Sequence, residues 1–270
     1  MFVTGPEVVK TVTHEDVTAE ELGGAAMHAS VSGLAEYVAQ DDEHAVSIVR
    51  DIVANLDWNR AAATVSKPEQ ARKTIASPLY PAEELLHVMP ALSRKPVDMR
   101  EVIARLVDGS AWLDFKPDYG PATVCGHARI DGYSVGFITN NGPLDPAGAT
   151  KASQFIQLCN QSRTALVYLQ NTTGFIVGRD SEEAGMIKHG SKMIQALSNA
   201  TVPQITLYCG ASYGAGNYGM CGRGFHPRFC FSWPNARTSV MGAEQAAGTL
   251  KIVAREQAQR RGKPVDEAAL

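Results

Sequence analysis

The chain has 270 residues, of which 44% are hydrophobic and 20% are charged, and its formal net charge is −3. This length and composition predict one large soluble domain, or one and a half domains of ordinary size. No cluster of lysine and arginine stands out, so nucleic acid is not an expected partner, because phosphate binding leaves a basic footprint. No apolar run reaches the roughly 18 residues that a membrane span needs, so we expect no membrane insertion.

The cysteine pattern excludes two kinds of site. The chain has five cysteines, an odd number, and no two of them form a C-x-x-C pair. None has a closely spaced histidine or cysteine that would give zinc-ligand spacing. The sequence therefore predicts reduced, mostly buried thiols in an intracellular protein and no metal site, with the thiols at Cys125, Cys159, Cys209, Cys221 and Cys230.

The first 56 residues predict helices without a strand. Thr18 and Glu21 have the spacing of a capping box. Residues 41–56 predict an amphipathic helix that begins with acidic residues and turns six apolar side chains inward, namely Val46, Ile48, Val49, Ile52, Val53 and Leu56. Because no strand is predicted for these helices to pack on, we expect this segment to complete a domain that lies mostly outside the sequence.

Residues 57–97 are polar and contain five prolines, which predicts a linker that runs over the surface. From residue 98 the pattern changes to regular structure. A helix is predicted over 98–109, closed by Gly109. Two strands, 122–130 and 133–139, are joined at Asp131 and Gly132, a strong hairpin signal.

The rest of the chain alternates between strands and helices, which predicts an α/β fold with a largely parallel layer. The predicted strands lie at 164–170, 203–208 and 229–232. The predicted helices lie at 149–161, 181–200 and 243–261, and the loops at 171–180 and 233–242.

The stretch "GASYG", residues 210–214, fits the G-x-S-x-G pattern of a hydrolase nucleophile elbow. An α/β-hydrolase places its catalytic acid and then its histidine after the serine. Here the only later histidine, His226, comes before both Glu244 and Asp266, so the order is wrong. We interpret Ser212 as a hydroxyl that stabilises the loop.

Glycine is concentrated in the same region, with six glycines in residues 209–224. A glycine-rich loop that enters a helix turns free N–H groups outward, and such donors stabilise an oxyanion without any side chain. A second loop of this kind, residues 171–178, follows another predicted parallel strand. Two such loops at neighbouring strand ends suggest a site that holds a developing enolate; the alternative is that both are only tight turns.

Three segments carry a family resemblance: "NNGPLDPAGATKASQFIQLCNQS" from residue 140, "LQNTTGFIVGRDSEEAGMIKHGSKM" from residue 169, and "GASYGAGNYGMCGRGFHPRFCFSWPNARTSVMGAEQAAG" from residue 210. They resemble the carboxyltransferase (β) subunits of biotin-dependent acyl-CoA carboxylases. "NTTGF" and "GAGNYGMCGR" are most similar to the 3-methylcrotonyl-CoA and geranyl-CoA carboxylases. Residues 1–56 resemble the end of that family's N-terminal domain.

The resemblance implies a crotonase-like ββα superhelix. Residues 1–57 would be the end of an N-terminal carboxyltransferase domain, 58–97 a linker, and 98–270 a C-terminal carboxyltransferase domain that is incomplete at its end. We expect a partial chain, either a fragment or half of a split subunit.

The implied activity is transfer of a carboxyl group from carboxybiotin to a 2,3-unsaturated acyl-CoA. Biotin would be carried by a biotin carboxylase/biotin carrier partner, which alone would use ATP and bicarbonate. Subunits would form a homo-oligomer, a hexamer by resemblance, in the bacterial cytoplasm or the mitochondrial matrix. No side-chain base, nucleophile or metal is required.

The resemblance also implies site residues, all of them in the glycine-rich and strand-end loops. The backbone N–H groups of Ala215 and Gly216 would form the oxyanion hole on the biotin side. The other implied contacts are with biotin at Gly174, Phe175, Asn217 and Tyr218, and with acyl-CoA at Asn140, Asn141 and Gly142. Each of these residues also has an ordinary alternative. Ala215 and Gly216 could be a plain helix start, Phe175 a core ring and Asn217 a helix cap. Asn140, Asn141 and Gly142 could be a turn after the strand.

Other functions stay open at this point. A biotin-dependent acyl-CoA decarboxylase component shares this chemistry in reverse. A crotonase-type hydratase or isomerase would need carboxylates beside the oxyanion loop, and the nearest are set back on the next helix, at Asp180, Glu182 and Glu183. The remaining hypothesis is a truncated, non-catalytic assembly subunit. The arginines at 223, 228 and 237 could hold CoA phosphates or form ion pairs, and His189 and His226 are expected to be structural.

Overall fold

A mixed sheet organises residues 113–239. The computed structural model describes residues 1–56, 75–89 and 95–262. Within them, the sheet has seven strands in the order β1-β2-β3-β4-β5-β6, with β7 also paired to β5. The strands are β1 (Leu113–Phe115), β2 (Thr123–Ile130), β3 (Tyr133–Asn140), β4 (Ala165–Thr172), β5 (Gln204–Tyr213), β6 (Phe229–Ser232) and β7 (Arg237–Ser239). β1 to β3 pair antiparallel and all later pairs are parallel, so the predicted α/β fold with a parallel layer is confirmed.

The helices connect and cover these strands. They are α1 (Pro6–Thr13), α2 (Ala19–Gly23), α3 (Ala25–Met27), α4 (Asp42–Asn55), α5 (Leu85–Val88), α6 (Met99–Ala104), α7 (Pro146–Gln161), α8 (Arg179–Glu183), α9 (Met186–Asn199), α10 (Gly214–Gly219) and α11 (Ala243–Arg260). A π-helical turn spans His28–Ser32, and 3₁₀ turns span Ala82–Glu84, Asp108–Ser110 and Arg223–Phe225.

The Asp-Gly hairpin forms as predicted. Asp131 and Gly132 have φ of 50° and 77°, the left-handed pair that a tight two-residue turn requires. The carboxylate of Asp108 accepts from both N–H groups, at 2.9 Å and 2.7 Å. The turn chemistry therefore sets the full β2–β3 register, from Thr123 opposite Asn140 to Ile130 opposite Tyr133.

Two predicted helices differ from the structure. The helix expected over 98–109 ends at Ala104, and Gly109, at φ 59°, lies in the following 3₁₀ turn. The helix expected over 181–200 is two helices, because Gly185 takes φ 83° between α8 and α9. A left-handed glycine interrupts the helical hydrogen-bond ladder, whereas the sequence pattern alone allows a glycine within a helix.

Each face of the sheet has its own apolar core. On one face, α7 and α9 cover side chains that include Ile138 and Tyr168. On the other face, α6 packs on side chains that include Phe137 and Leu169. Successive residues of a strand point to opposite faces, so neighbouring residues of β3 and of β4 supply different cores.

The N-terminal segment contacts this body through Lys116. The Thr18–Glu21 capping box is confirmed. Lys116 is buried and reaches the segment, where its Nζ lies 3.1 Å from a carboxylate oxygen of Glu36 and donates to the carbonyl of Gly33. Residues 1–56 contain helices and no strand.

The inward face predicted for α4 is wrong as a statement about this structure. Of the six side chains predicted to face inward, four are exposed and two are half-buried; the exposed ones are Val46, Val49, Val53 and, just after the helix, Leu56. An amphipathic pattern shows that a helix has an apolar face, but not that the covering surface is within reach.

The predicted linker, 58–97, falls largely on residues 57–74 and 90–94, which lie outside the described residues. Of its described part, residues 75–89 carry α5, and Met89 is buried in the second core. The domain boundaries at 57 and 97 stay predictions.

Gly136 tests how tightly the first core is packed. A Cβ at this position would lie 2.5 Å from the Cys159 sulfur and 3.1 Å from the Phe155 ring. We expect Gly136→Ala to lower the free energy of unfolding by about 1–3 kcal/mol, the usual cost of overpacking. Urea denaturation measures it, with Gly248→Ala as the control, because nothing lies within 4 Å of a Cβ at that position in α11. Equal stability of both variants would contradict this packing.

Candidate active site at the carboxyl edge of the sheet

Three parallel strands end side by side at one edge of the sheet. β3 ends at Asn140, β4 at Thr172 and β5 at Tyr213. The last β4–β5 pair joins Thr172 to Ser212, after a register shift near Gln170. The loops that follow these strands therefore meet at the carboxyl edge, where α/β sheets place their ligands.

The two glycine-rich loops touch main chain to main chain. A Cβ built on Gly216 would lie 2.6 Å from the Cα of Gly174. Gly174 itself has φ 118°, a conformation that side chains with a Cβ rarely adopt. Both positions therefore need glycine, one for close approach and one for its backbone angle. Gly174 and Gly216, predicted from separate loops, lie together.

Backbone bonds fix the first of these loops. The Gly174 N–H donates to the Thr172 hydroxyl at 3.2 Å, and the Gly174 carbonyl accepts from the Leu144 N–H at 2.9 Å. The Ile176 N–H returns a bond to the Leu144 carbonyl at 2.8 Å. The loop after β4 is thereby joined to the loop after β3.

The second loop is the start of α10. Ala215 and Gly216 are the second and third residues of this helix, and no side chain caps its N-terminus within the described residues. The first N–H groups of a helix have no acceptor inside it. Ala215 is exposed, whereas Gly216 is buried against Gly174. The turn thus presents main-chain donors at the edge of the sheet.

Ser212 is a structural residue in this arrangement. It is fully buried, its hydroxyl donates to the side-chain oxygen of Gln170, and it accepts from the Asn217 amide at 2.7 Å. The Gln170 amide in turn donates to the Met220 carbonyl at 2.7 Å. Among the described residues no histidine takes part, which agrees with the interpretation of Ser212 as a loop-stabilising hydroxyl.

Asn217 extends this network on the inner side of α10. Its amide also lies 3.4 Å from the Tyr208 hydroxyl, which accepts from the Arg223 N–H at 3.2 Å. Burial raises the pKa of Tyr208, so its proton stays in place. Tyr218, by contrast, is about half exposed, with its ring edge-on to Phe225.

The ring of Phe175 packs against the first core. Cβ atoms built on Gly190 and Gly219 would lie 3.3 Å and 3.0 Å from it. It is partly buried against that core. A contact between Phe175 and a ligand at the edge would therefore come chiefly from its main chain.

The last residue of β3 and the two residues after it differ from one another. Asn140 is fully buried, and neither of its side-chain polar atoms has a hydrogen-bond partner among the described residues. The Asn141 side chain accepts from the Met99 N–H at 2.8 Å and donates to Asp98 at 2.9 Å, so it holds the start of α6. Gly142 lines a cavity together with Asn141.

That cavity, called the edge cavity below, has a volume of about 190 Å³. Separate parts of the chain meet in it, and its lining is Met89, Lys95, Pro96, Val97, Asn141, Gly142, Pro143, Asn171, Thr173, Gly210, Ala211, Asn235 and Arg237. Sequence reasoning named Asn141, Gly142 and Arg237 but not the other polar members. The polar run "NTT" at residues 171–173, directly after the predicted strand 164–170, was the available signal for Asn171 and Thr173.

Two buried thiols stay protonated, and the described residues assemble no metal site. Burial raises the pKa of the Cys221 thiol to about 11 and that of Cys125 to about 12, so both stay protonated. In the ranges that the structure covers, no group of three or more His, Cys, Asp or Glu residues could hold a metal ion. Within the same ranges, no helix is long and apolar enough to cross a bilayer.

Comparison with known proteins places this fold in a family. Residues 1–270 match the family model described as "Carboxyl transferase domain". A probable biotin-dependent acyl-coenzyme A carboxylase β2 subunit of Mycobacterium tuberculosis is 53% identical over all of this chain and 50% of its own length. A probable mitochondrial methylcrotonoyl-CoA carboxylase β chain of Drosophila melanogaster is 46% identical over 99% of this chain and 48% of its own.

A solved structure agrees. The β subunit of geranyl-CoA carboxylase from P. aeruginosa superposes with a TM-score of 0.67 and is 54% identical, over 95% of this chain and 48% of that one. The crotonase-like fold class is thereby confirmed. The chain spans about half the length of the curated relatives it matches. With a family model matching every residue and relatives about half identical throughout, the chain belongs to the carboxyl transferase domain family.

Proposed function

We propose that this chain is part of a carboxyltransferase that moves a carboxyl group from carboxybiotin to an unsaturated acyl-CoA of the 3-methylcrotonyl or geranyl type. The observation that carries the proposal is the main-chain contact of Gly174 and Gly216 at the carboxyl edge. The methylcrotonoyl-CoA and geranyl-CoA carboxylases among its relatives support the acyl class.

The chain's own contribution is a pair of main-chain donors. The N–H groups of Ala215 and Gly216 would donate to the ligand oxygen that becomes negative during transfer. They lie at the start of α10, where the helix leaves N–H groups unpaired, and glycine at 216 keeps side-chain atoms out of the way. These residues fit the ureido oxygen of biotin, which carries no hydrogen and can only accept.

Carboxybiotin, when bound, supplies the carboxyl group and, after its loss, the base that takes the acyl-CoA proton. For a 2,3-unsaturated acyl-CoA the acidic proton is on the γ-carbon, because the anion that remains delocalises through the double bond to the thioester. The protein would therefore need to hold two negatively charged oxygens, the ureido oxygen of biotin and the thioester oxygen of the acyl-CoA, rather than to provide a base. The proposed acyl-CoA contacts are Asn140, Asn141 and Gly142, and the proposed biotin contacts are Gly174, Phe175, Asn217 and Tyr218.

The proposal extends to partners. Biotin would arrive on a separate biotin carboxylase/biotin carrier subunit, and ATP and bicarbonate would be used there only. The carboxyltransferase would work as a homo-oligomer, a hexamer by resemblance, in the bacterial cytoplasm or the mitochondrial matrix.

Reconstitution tests this function. The chain is mixed with a biotinylated partner subunit, ATP and ¹⁴C-bicarbonate, and label is followed into 3-methylcrotonyl-CoA and geranyl-CoA. Because relatives are about twice as long, one arm adds the first half of a related β subunit. We expect label in an acyl-CoA in at least this arm. A folded chain that gives no label in any mixture would contradict the proposal and favour a non-catalytic assembly subunit.

Gly216→Ala tests the donors within that assay. Its Cβ would collide with the Gly174 main chain and displace one donor. Loss of one oxyanion donor lowers the rate by about 10²–10³-fold, so we expect a loss of this order in kcat. Gly248→Ala serves as the matched control. A Gly216→Ala rate within about threefold of the wild type would contradict the role of the Gly216 N–H as an oxyanion donor.

Ser212 separates this function from a hydrolase. A buried hydroxyl bonded to amides has no base to activate it, so we expect a fluorophosphonate probe to leave Ser212 unlabelled. Ser212→Ala leaves buried amide groups unpaired and should lower the free energy of unfolding by about 1–3 kcal/mol. Mass spectrometry and urea denaturation measure the two effects. A labelled Ser212 would favour the nucleophile instead.

A further inference from the structure

A second cavity lies between the N-terminal segment and the sheet, and is called the His127 cavity below. Its volume is about 590 Å³, within the roughly 300–1,000 Å³ of small-molecule sites. One apolar wall is formed by Ile52 of α4 and by Leu56, and the opposite wall by Leu113, Phe115 and Leu158. The cavity is therefore mostly apolar, and two separate parts of the chain build it.

This cavity lies far from the carboxyl edge of the sheet. Thr164 lines it and directly precedes β4, whereas Thr172 ends β4 at the carboxyl edge. The eight residues from 164 to 172, at about 3.3 Å each, place the two ends of the strand about 26 Å apart. The His127 cavity is therefore distinct from the site of the proposed function.

The charge in this cavity is balanced. Glu36 is its only carboxylate, and no described lysine or arginine lines it. The Glu36 carboxylate lies 3.1 Å from the Nζ of buried Lys116 and accepts from the Gln154 amide at 3.5 Å. Burial lowers the pKa of His127 to about 4, so its ring is uncharged at neutral pH. Because burial of an unpaired ion is costly, the cavity favours an uncharged ligand.

Two neutral polar groups line this cavity without a partner. The His127 ring, held 4.9 Å from the Phe155 ring, makes no hydrogen bond with any described residue, and neither does the Tyr37 hydroxyl. Burial raises the pKa of Tyr37 to about 12, so the hydroxyl keeps its proton. A neutral imidazole offers one donor and one acceptor, and a phenol offers both. Together they can bond a ligand's hydroxyl or carbonyl group.

The other polar groups of the lining are already bonded or exposed. The hydroxyls of Ser162 and Thr164 lie 2.9 Å apart. The Asn55 amide donates to a main-chain carbonyl of α4 at 2.9 Å, and Gln161 is exposed. The imidazole and the phenol are thus the groups left to orient a ligand.

We propose that the His127 cavity binds an uncharged, mostly apolar molecule with one hydroxyl or carbonyl group, which bonds to His127 and Tyr37. The proposal goes beyond the proposed function and does not depend on it. One wall belongs to the N-terminal segment, where the Arg129 guanidinium donates to the Ala54 carbonyl at 3.0 Å. A ligand that needs both walls would stabilise the contact of this segment with the sheet, by mass action.

Three probes that share one ring system test the chemistry of the site. Equilibrium dialysis of the chain alone measures the Kd of 2-naphthol, naphthalene and 2-naphthoate. We expect 2-naphthol to bind most tightly and 2-naphthoate at least about tenfold more weakly, because its charge would be buried unpaired. Equal or tighter binding of 2-naphthoate, or no binding of 2-naphthol, would overturn the proposal.

Two variants test the polar contacts. Loss of one neutral hydrogen bond should weaken 2-naphthol binding about three- to tenfold in His127→Phe and in Tyr37→Phe, and naphthalene binding should not weaken. The matched controls are His87→Phe and Tyr133→Phe, because both residues are exposed and lie outside the cavity. Circular dichroism checks the fold of each variant, and Tyr37→Phe removes only a hydroxyl. Unchanged 2-naphthol binding in both cavity variants would overturn the assignment of these contacts.

Hydrogen exchange tests where the probe binds. At ten times its Kd, 2-naphthol should slow the exchange of α4 amides by up to about tenfold, because the ligand must leave before the wall opens. At the same concentration the effect should be smaller in His127→Phe. Unchanged exchange in α4, despite binding, would place 2-naphthol elsewhere and contradict the proposal.

Discussion

The contact between the main chains of Gly174 and Gly216 is the constraint on which the site depends. It forms because parallel β4 and β5 end together and send their loops toward each other. No side chain fits between the two segments, so the shape of this edge is set by the backbone. Three features keep the Gly174 and Gly216 main chains close together. They are the strand pairing, the joined loops after β3 and β4, and the short helix α10.

A buried polar network between the sheet and α10 supports the contact of Gly174 with Gly216. Side-chain hydrogen bonds of Gln170, Ser212 and Asn217 connect the end of β4, the end of β5 and the middle of α10. Buried polar groups are favourable only when their partners are complete, so this network resists any shift of α10 against the sheet. The serine that fits a nucleophile motif is in fact one of its connecting groups.

Local signals in the sequence predicted much of this fold. The Asp131–Gly132 turn specifies its own backbone angles, and the hairpin followed from it. The end of β5 did not follow, because residues 209–213 are extended through pairing with β4 and β7 rather than by their own composition. The break at Gly185 was missed for a related reason, since a glycine within a helical pattern does not reveal which φ it will take.

The candidate site, too, was predicted from the sequence only in part. The loops of residues 171–178 and 209–224 were found because their glycines are visible along the chain, and the family resemblance then implied Gly174 and Gly216 within them. The edge cavity was not, because Lys95, Asn171 and Arg237 come from distant segments that only the folded sheet brings together. The apolar face of α4 was visible as a periodicity, but the surface that covers it is not specified by the helix itself.

The main-chain character of the first turn of α10 has a consequence for how the site responds to acidity. Peptide N–H groups do not titrate over the range in which proteins stay folded, unlike histidine or cysteine donors. Their strength as donors is therefore constant, and burial keeps the nearby Tyr208 and Cys221 protonated as well. If the proposed function holds, any dependence of turnover on acidity would originate outside this edge of the sheet.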